Sequence, residues 1–155
     1  MMSTSVPDAV LGVLDSSLDT GDEAITITTM DEDGWPRTAL LSIAEAVLTG
    51  KGRIAILLHD ASTGAINLRR DGRLLVTVAA GGNVYDLRFS VQENGPILAD
   101  PPRATFTGTL CAVREQRAPY ATVTSGIRFT LHGPQSVLPR WHNQLTHLRS
   151  SVEKF

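Results

Sequence analysis

The chain predicts a mainly β fold, a barrel with helical decoration, and three observations carry that expectation. Between residues 24 and 113, short apolar runs recur with turn signals between them, mostly alternating with a period of two. One short capped segment interrupts these runs, and helical periodicity is otherwise confined to the two ends. Strands in such number, with helices at the margins, point to a barrel rather than to a parallel α/β sheet.

Near the N-terminus, Pro7 and Asp8 open a pattern in which Val10, Leu11, Leu14 and Leu18 recur at helical spacing. That predicts an amphipathic helix within residues 1–21, ending near Gly21 and lidding one end of the barrel. From Ala24 the period changes to two: Ile25 and Ile27 alternate with Thr26 and Thr28, Asp33 and Gly34 mark a turn, and a return strand runs over residues 37–43. This is a β-hairpin. A third strand, residues 53–58, follows the turn at Gly50 and Gly52, and its nearly unbroken apolar character predicts burial on both faces. Ser62 then stands where a helix N-cap belongs, ahead of a short helix over residues 62–70 that Asp71 and Gly72 close.

Two more strands, residues 74–80 and 84–91, are joined through Gly81, Gly82 and Asn83, and a strand over residues 106–113 alternates cleanly. The β count reaches six or seven. Residues 92–103, with Gly95, Pro96, Pro101 and Pro102, and residues 115–120 read as loops able to rim a cavity. A last strand is expected over residues 127–131 and a C-terminal helix over 138–152, within a tail of 138–155. Pro139 falls in its first turn, and Trp141, Leu145 and Leu148 share a face.

With 155 residues, 42% apolar and 19% charged, the chain suits one domain spanning 1–155. A domain of that length buries roughly 70% of its unfolded surface, so no metal or disulfide staple is required. Fourteen basic and sixteen acidic residues with no basic stripe offer nucleic acid no electrostatic footing. No apolar run approaches the roughly eighteen residues of a membrane span, and no leader pattern opens the chain, so a cytoplasmic protein is expected. The single cysteine, Cys111, reads as a small buried hydrophobe.

Several side chains have plain structural readings. The four histidines show no metal-ligand spacing, so no metal is expected. His59 ends the third strand beside the Ser62 corner, which makes it a candidate ligand contact, although a lone histidine at a strand end is ordinarily a surface residue. Arg69, Arg70 and Arg73 suit a solvated helix C-terminus, and Asn67 suits a side-chain to backbone brace. Asp31, Glu32, Asp33 and Gly34 serve as turn chemistry, while Trp35 and Trp141 favour packing over stacking on a ligand. Neither a nucleophile elbow nor a nucleotide-binding glycine loop occurs, so hydrolytic catalysis has no footing.

The Ser62 corner is the most informative feature. A helix that starts beside a strand end presents free backbone N–H groups, a ready anion site. Together with the hairpin before it, the strand, capped helix and strand of residues 54–78 resemble the pyridoxamine 5'-phosphate oxidase-like family, split β-barrels that bind FMN. The family signature after the third strand is Ser, any residue, Lys, two residues, then Asn-Leu. Ser62, Asn67 and Leu68 match it, and Gly64 stands in the place of the lysine. On the return strand of the hairpin the family carries an Arg, an apolar pair and a Lys; here Arg37, Leu40 and Leu41 match, and Ser42 replaces the lysine.

What this resemblance implies is a six-stranded split barrel that pairs into a homodimer with flavin clefts at the interface. Ser62, with the amides of Thr63 and Gly64, and Arg37 would meet the phosphate. The backbone near Leu40 and Leu41 would meet the ring, and Ser42 and His59 complete the candidate set. The implied activity is hydride transfer between FMN, or a deazaflavin, and a small organic substrate. Gly64 supports the alternative of a split barrel without flavin that binds another small ligand or a protein partner. Ser62 as a plain helix cap, a contribution of about 1 kcal/mol, is compatible with either.

Overall fold

The computed structural model of the chain describes residues 2–3, 5–14, 22–98 and 101–154. A two-residue strand, β1 (Met2–Ser3), precedes the helix α1 (Asp8–Leu14). The hairpin expected from the period-two pattern is β2 (Glu23–Met30) and β3 (Pro36–Ser42), and its turn closes through Gly34 N–H donating to Asp31 O at 2.9 Å. A one-turn 3-10 helix (Ile43–Glu45) leads into β4 (Ala46–Leu48), then β5 (Arg53–His59), the helix α2 (Thr63–Asp71) and β6 (Arg73–Ala80). The strands β7 (Asn83–Glu93), β8 (Arg103–Gln116) and β9 (Ile127–Arg128) and the helix α3 (Pro134–Glu153) complete the order.

All ladders are antiparallel, and the main path of the sheet runs β3-β2-β6-β7-β8-β5-β4, with β1 beside β8 and β9 beside β2. The strands at its two ends, β3 and β4, are consecutive in the chain. Three residues of 3-10 helix separate them, so the polypeptide itself bridges the open edges and the sheet curls into a split barrel. Seven strands on this path replace the expected six, because the chain turns after Ser42 and resumes pairing on the far edge as β4. The turn is pinned by Glu45, whose Oε1 accepts from Ser42 N–H at 3.0 Å and from its hydroxyl at 2.9 Å.

Two cores flank β5. Ile54, Ile56 and Leu58 point into the barrel with Ile25, Ile27, Leu74, Val76, Leu87, Phe89 and Phe106, while Ala55 and Leu57 face Trp141, Leu145, Leu148 and Val152 of α3. The apolar run of β5 therefore is buried on both sides, as its composition predicts. Helix α1 contributes Val10 and Leu14 to the barrel core; Leu18 and Gly21, where this helix was expected to end, lie outside the described residues.

Three expectations are corrected. Helix α3 starts a turn earlier than Leu138, with Pro134 in its first turn and Gly133 at the N-cap, so Pro139 sits in the helix interior. The last strand shrinks to Ile127–Arg128 because Phe129 and Leu131 are drawn onto the α3 core, Phe129 meeting Trp141 edge-on at 6.2 Å. Cys111 is exposed. A register shift between Arg88 and Phe89 leaves Cys111 as the unpaired residue between Ala112 and Leu110, so the alternation along β8 breaks there.

Candidate functional site

The site forms where the hairpin turn meets the start of α2. Asp31, Glu32, Asp33 and Arg37 form one side and Thr63, Ile66, Asn67 and Arg70 the other, around an open cleft of about 420 Å³. Spacing of three and four residues puts Thr63, Ile66, Asn67 and Arg70 on one face of the helix. The register of the hairpin sets Arg37 opposite Thr29, on the same face as Ala39 opposite Ile27 and Leu41 opposite Ile25.

The first turn of α2 leaves two backbone donors open. Ser62 Oγ accepts from Ala65 N–H at 3.1 Å and Ser62 O from Ile66 N–H at 3.1 Å, which leaves the N–H groups of Thr63 and Gly64 without an acceptor among the described residues. Arg37 stands across the cleft, its side chain 50% exposed, donating Nε to Asp31 Oδ1 at 2.8 Å and leaving its terminal nitrogens uncommitted among the described residues. The bond from Arg37, followed by one from Asn67, holds the Asp31 carboxyl below its ordinary pKa.

The remaining sequence candidates are dispersed. Leu40 is exposed and points to the face of β3 opposite Arg37, while Leu41 and Ser42 are buried, Leu41 in the barrel core and Ser42 on Glu45. His59 is exposed at the end of β5, its Nδ1 accepting from Ala61 N–H at 3.2 Å, and it does not line the cleft. Gly64 follows Thr63 on the helix, and a Cβ there would sit 3.6 Å from Leu58 Cδ1, an ordinary contact.

Sequence reasoning did not place Asp31, Ile66, Asn67 or Arg70 in the site. Asn67 is buried, and instead of bracing a loop backbone it donates Nδ2 to Thr29 Oγ1 at 3.0 Å and to Asp31 Oδ1 at 2.9 Å. Arg70 is exposed in the last turn of α2, as expected, and there it also donates to Asn67 Oδ1 at 3.1 Å and to Met30 O. The signal that was available is the helical spacing of Arg70 from Thr63 and Ile66. Arg69, by contrast, faces away to Asp60 and Glu93, and Arg73 pairs with Asp71. Trp141 packs in the α3 core as expected, whereas Trp35, at 72% exposed on the turn, does not pack.

No family model matches the chain. Over 128 residues it is 33% identical to the uncharacterized protein YclD of Bacillus subtilis strain 168, covering 82% of this chain and 83% of that one. Among solved structures, a pyridoxamine 5'-phosphate oxidase-type protein from Lactobacillus delbrueckii superposes with a TM-score of 0.58 at 10% identity, over 72% of this chain and 95% of that one. An F420 reductase gives 0.53 at 14% identity, over 70% and 98% of the two chains. General stress protein 26 from Bacillus anthracis strain Sterne gives 0.52 at 8%, over 70% and 92%. At these identities the likeness is one of fold, the split barrel of the pyridoxamine 5'-phosphate oxidase-like proteins. Among the described residues, no helix is long and apolar enough to cross a membrane.

Proposed function

We propose that this chain, which belongs to the family of the Bacillus subtilis protein YclD, binds FMN or a related deazaflavin and serves hydride transfer between that cofactor and a small organic substrate. The observation that carries the reading is the convergence of Arg37 and the first turn of α2 on one cleft. A phosphate monoester needs several donors and at least one cation. Two uncommitted helix N–H groups, the Thr63 hydroxyl and the terminal nitrogens of Arg37 supply that set.

In this reading the N–H groups of Thr63 and Gly64 and the guanidinium of Arg37 hold the phosphate, and Ser62 keeps the helix start in shape by capping Ala65. The flavin, when bound, supplies the hydride chemistry. Exposed Ile66, Trp35 and Leu40, at 53%, 72% and 55%, offer apolar surface around the hairpin and α2. Among the described residues, strand β3 pairs with β2 alone, and residues 36–40 are exposed throughout. An edge of that kind calls for a cover, and a second copy related by a two-fold axis is the proposed one.

Arg37→Ala is expected to weaken FMN binding at least tenfold, about 1.4 kcal/mol, in a titration that follows quenching of flavin fluorescence. Wild-type protein should quench saturably at micromolar FMN or below. An unchanged affinity in Arg37→Ala would refute the phosphate assignment. One observation favours a second reading: three carboxylates, Asp31, Glu32 and Asp33, line the cleft against two guanidiniums, Arg37 and Arg70. A split barrel without flavin, binding another small ligand or a protein partner, follows if the wild-type chain neither quenches FMN fluorescence nor purifies with flavin absorption bands.

A further inference from the structure

We infer that Asn67 is a positioning residue for Arg37, acting through Asp31: its side-chain amide fixes the Asp31 carboxylate, and that carboxylate holds the guanidinium at the cleft. The function of this relay rests on the reading of Arg37 as a phosphate ligand, while its geometry does not.

Asn67 is buried with both ends of its amide committed. Arg70, a donor only, binds Oδ1 at 3.1 Å, so Nδ2 must be the end that faces Thr29 Oγ1 at 3.0 Å and Asp31 Oδ1 at 2.9 Å. The amide therefore cannot flip without setting its NH2 against a guanidinium and its oxygen against a carboxylate. Asp31 Oδ1 takes both the Asn67 donor and the Arg37 Nε donor, the latter at 2.8 Å. Thus one oxygen joins a buried helix residue to an exposed arginine 30 positions away in sequence. The second anchor of the frame is Arg70, which also donates to Met30 O at the end of β2.

An exposed arginine left to itself samples many rotamers, and each one frozen on binding costs affinity. The relay removes that cost in advance, but it also sets a carboxylate against the cation. Asn67 lowers the second penalty by sharing the Asp31 charge with a neutral donor. The charged groups around Asp31 are Arg37 and Arg70, and Asp33 lies near Arg37.

The test follows arginine Nε–H signals in the 15N-labelled full-length chain, with Arg37 assigned by its loss in Arg37→Lys. In Asn67→Leu, the Arg37 Nε–H is expected to exchange with solvent at least tenfold faster. Arg69, two residues along the same helix with Nε donating to Glu93 at 2.8 Å, should keep its signal and so reports that α2 is intact. If Arg37 keeps its slow exchange while Asn67→Leu is folded, the relay is refuted. A second measurement needs no change at Asn67: on acidification, the Asn67 side-chain amide and the Arg37 Nε–H should shift with one common midpoint, and Asp31→Asn should abolish that shared step. Separate midpoints would equally overturn the inference. For FMN, Asn67→Leu should raise Kd about tenfold. A wild-type chain that binds no FMN but shows the common midpoint counts against the flavin reading and leaves the relay standing.

Discussion

In the proposed flavin reading, Gly64 sits where a lysine would complete the donor set around the phosphate. Its Cβ would meet only Leu58 Cδ1 at 3.6 Å, an ordinary contact, so the backbone accepts a side chain at that position. Gly64→Lys is therefore expected to bind FMN at least tenfold more tightly than wild type, since a charge-assisted hydrogen bond contributes about 1.5–3 kcal/mol. Titration of the two proteins side by side checks this, and equal affinities would count against a phosphate at the α2 start. Arg37 and Ser62 were legible from sequence because each stands at a motif position with a local role. Asp31 and Arg70 were not, because each has a sufficient local reading, a turn for one and a helix end for the other. Their partners, Asn67 and Met30 O, lie 36 and 40 residues away.

Among the elements, α2 and the hairpin were readable nearly to the residue. A Ser cap, a left-handed Gly72 at the C-cap and strict alternation along β2 are local instructions. Strand β8 was read less well, since its long pairing with β7 demands a feature that period-two logic does not show. At Gly108 a Cβ would lie 1.9 Å from Ser90 O and 2.7 Å from Val91 Cα. Only glycine permits that approach. Gly108→Ala is expected to destabilise the chain by about 3 kcal/mol in urea unfolding, by forcing β7 and β8 apart. Gly64→Ala, with open contact distances, should unfold at nearly the wild-type midpoint and serves as the comparison.

For the molecule as a whole, the docking of α3 on the barrel carries a pH dependence. His147 of α3 shares a 2.8 Å hydrogen bond with Thr105 Oγ1 of β8. Burial, then the nearby Arg103 and Lys154, holds its imidazole below the ordinary value. The folded chain thus disfavours the proton that the unfolded chain accepts near pH 6.5, so stability from this group is complete above that pH and is lost as pH falls through it. The urea midpoint should fall between pH 7.5 and 5.5, and His147→Gln should flatten that fall; an unchanged slope in the variant would assign the dependence elsewhere. The acid limb has a second contributor of the usual carboxylate kind, Asp31, whose pKa is depressed by Arg37 and Asn67.

Element type, the mainly β class, the two-sided burial of β5 and the Ser62-capped start of α2 were all present in the residue order. Each depends on interactions within a few positions, on periodicity, capping and turn chemistry. The bridging of the sheet edges by β3 and β4, the outward place of Cys111, the shortening of β9 and the joining of Arg37 to Asn67 depended on contacts between distant segments. Strand order and register settle such contacts, and they follow from the packing of all the layers at once, which no local window of the chain encodes.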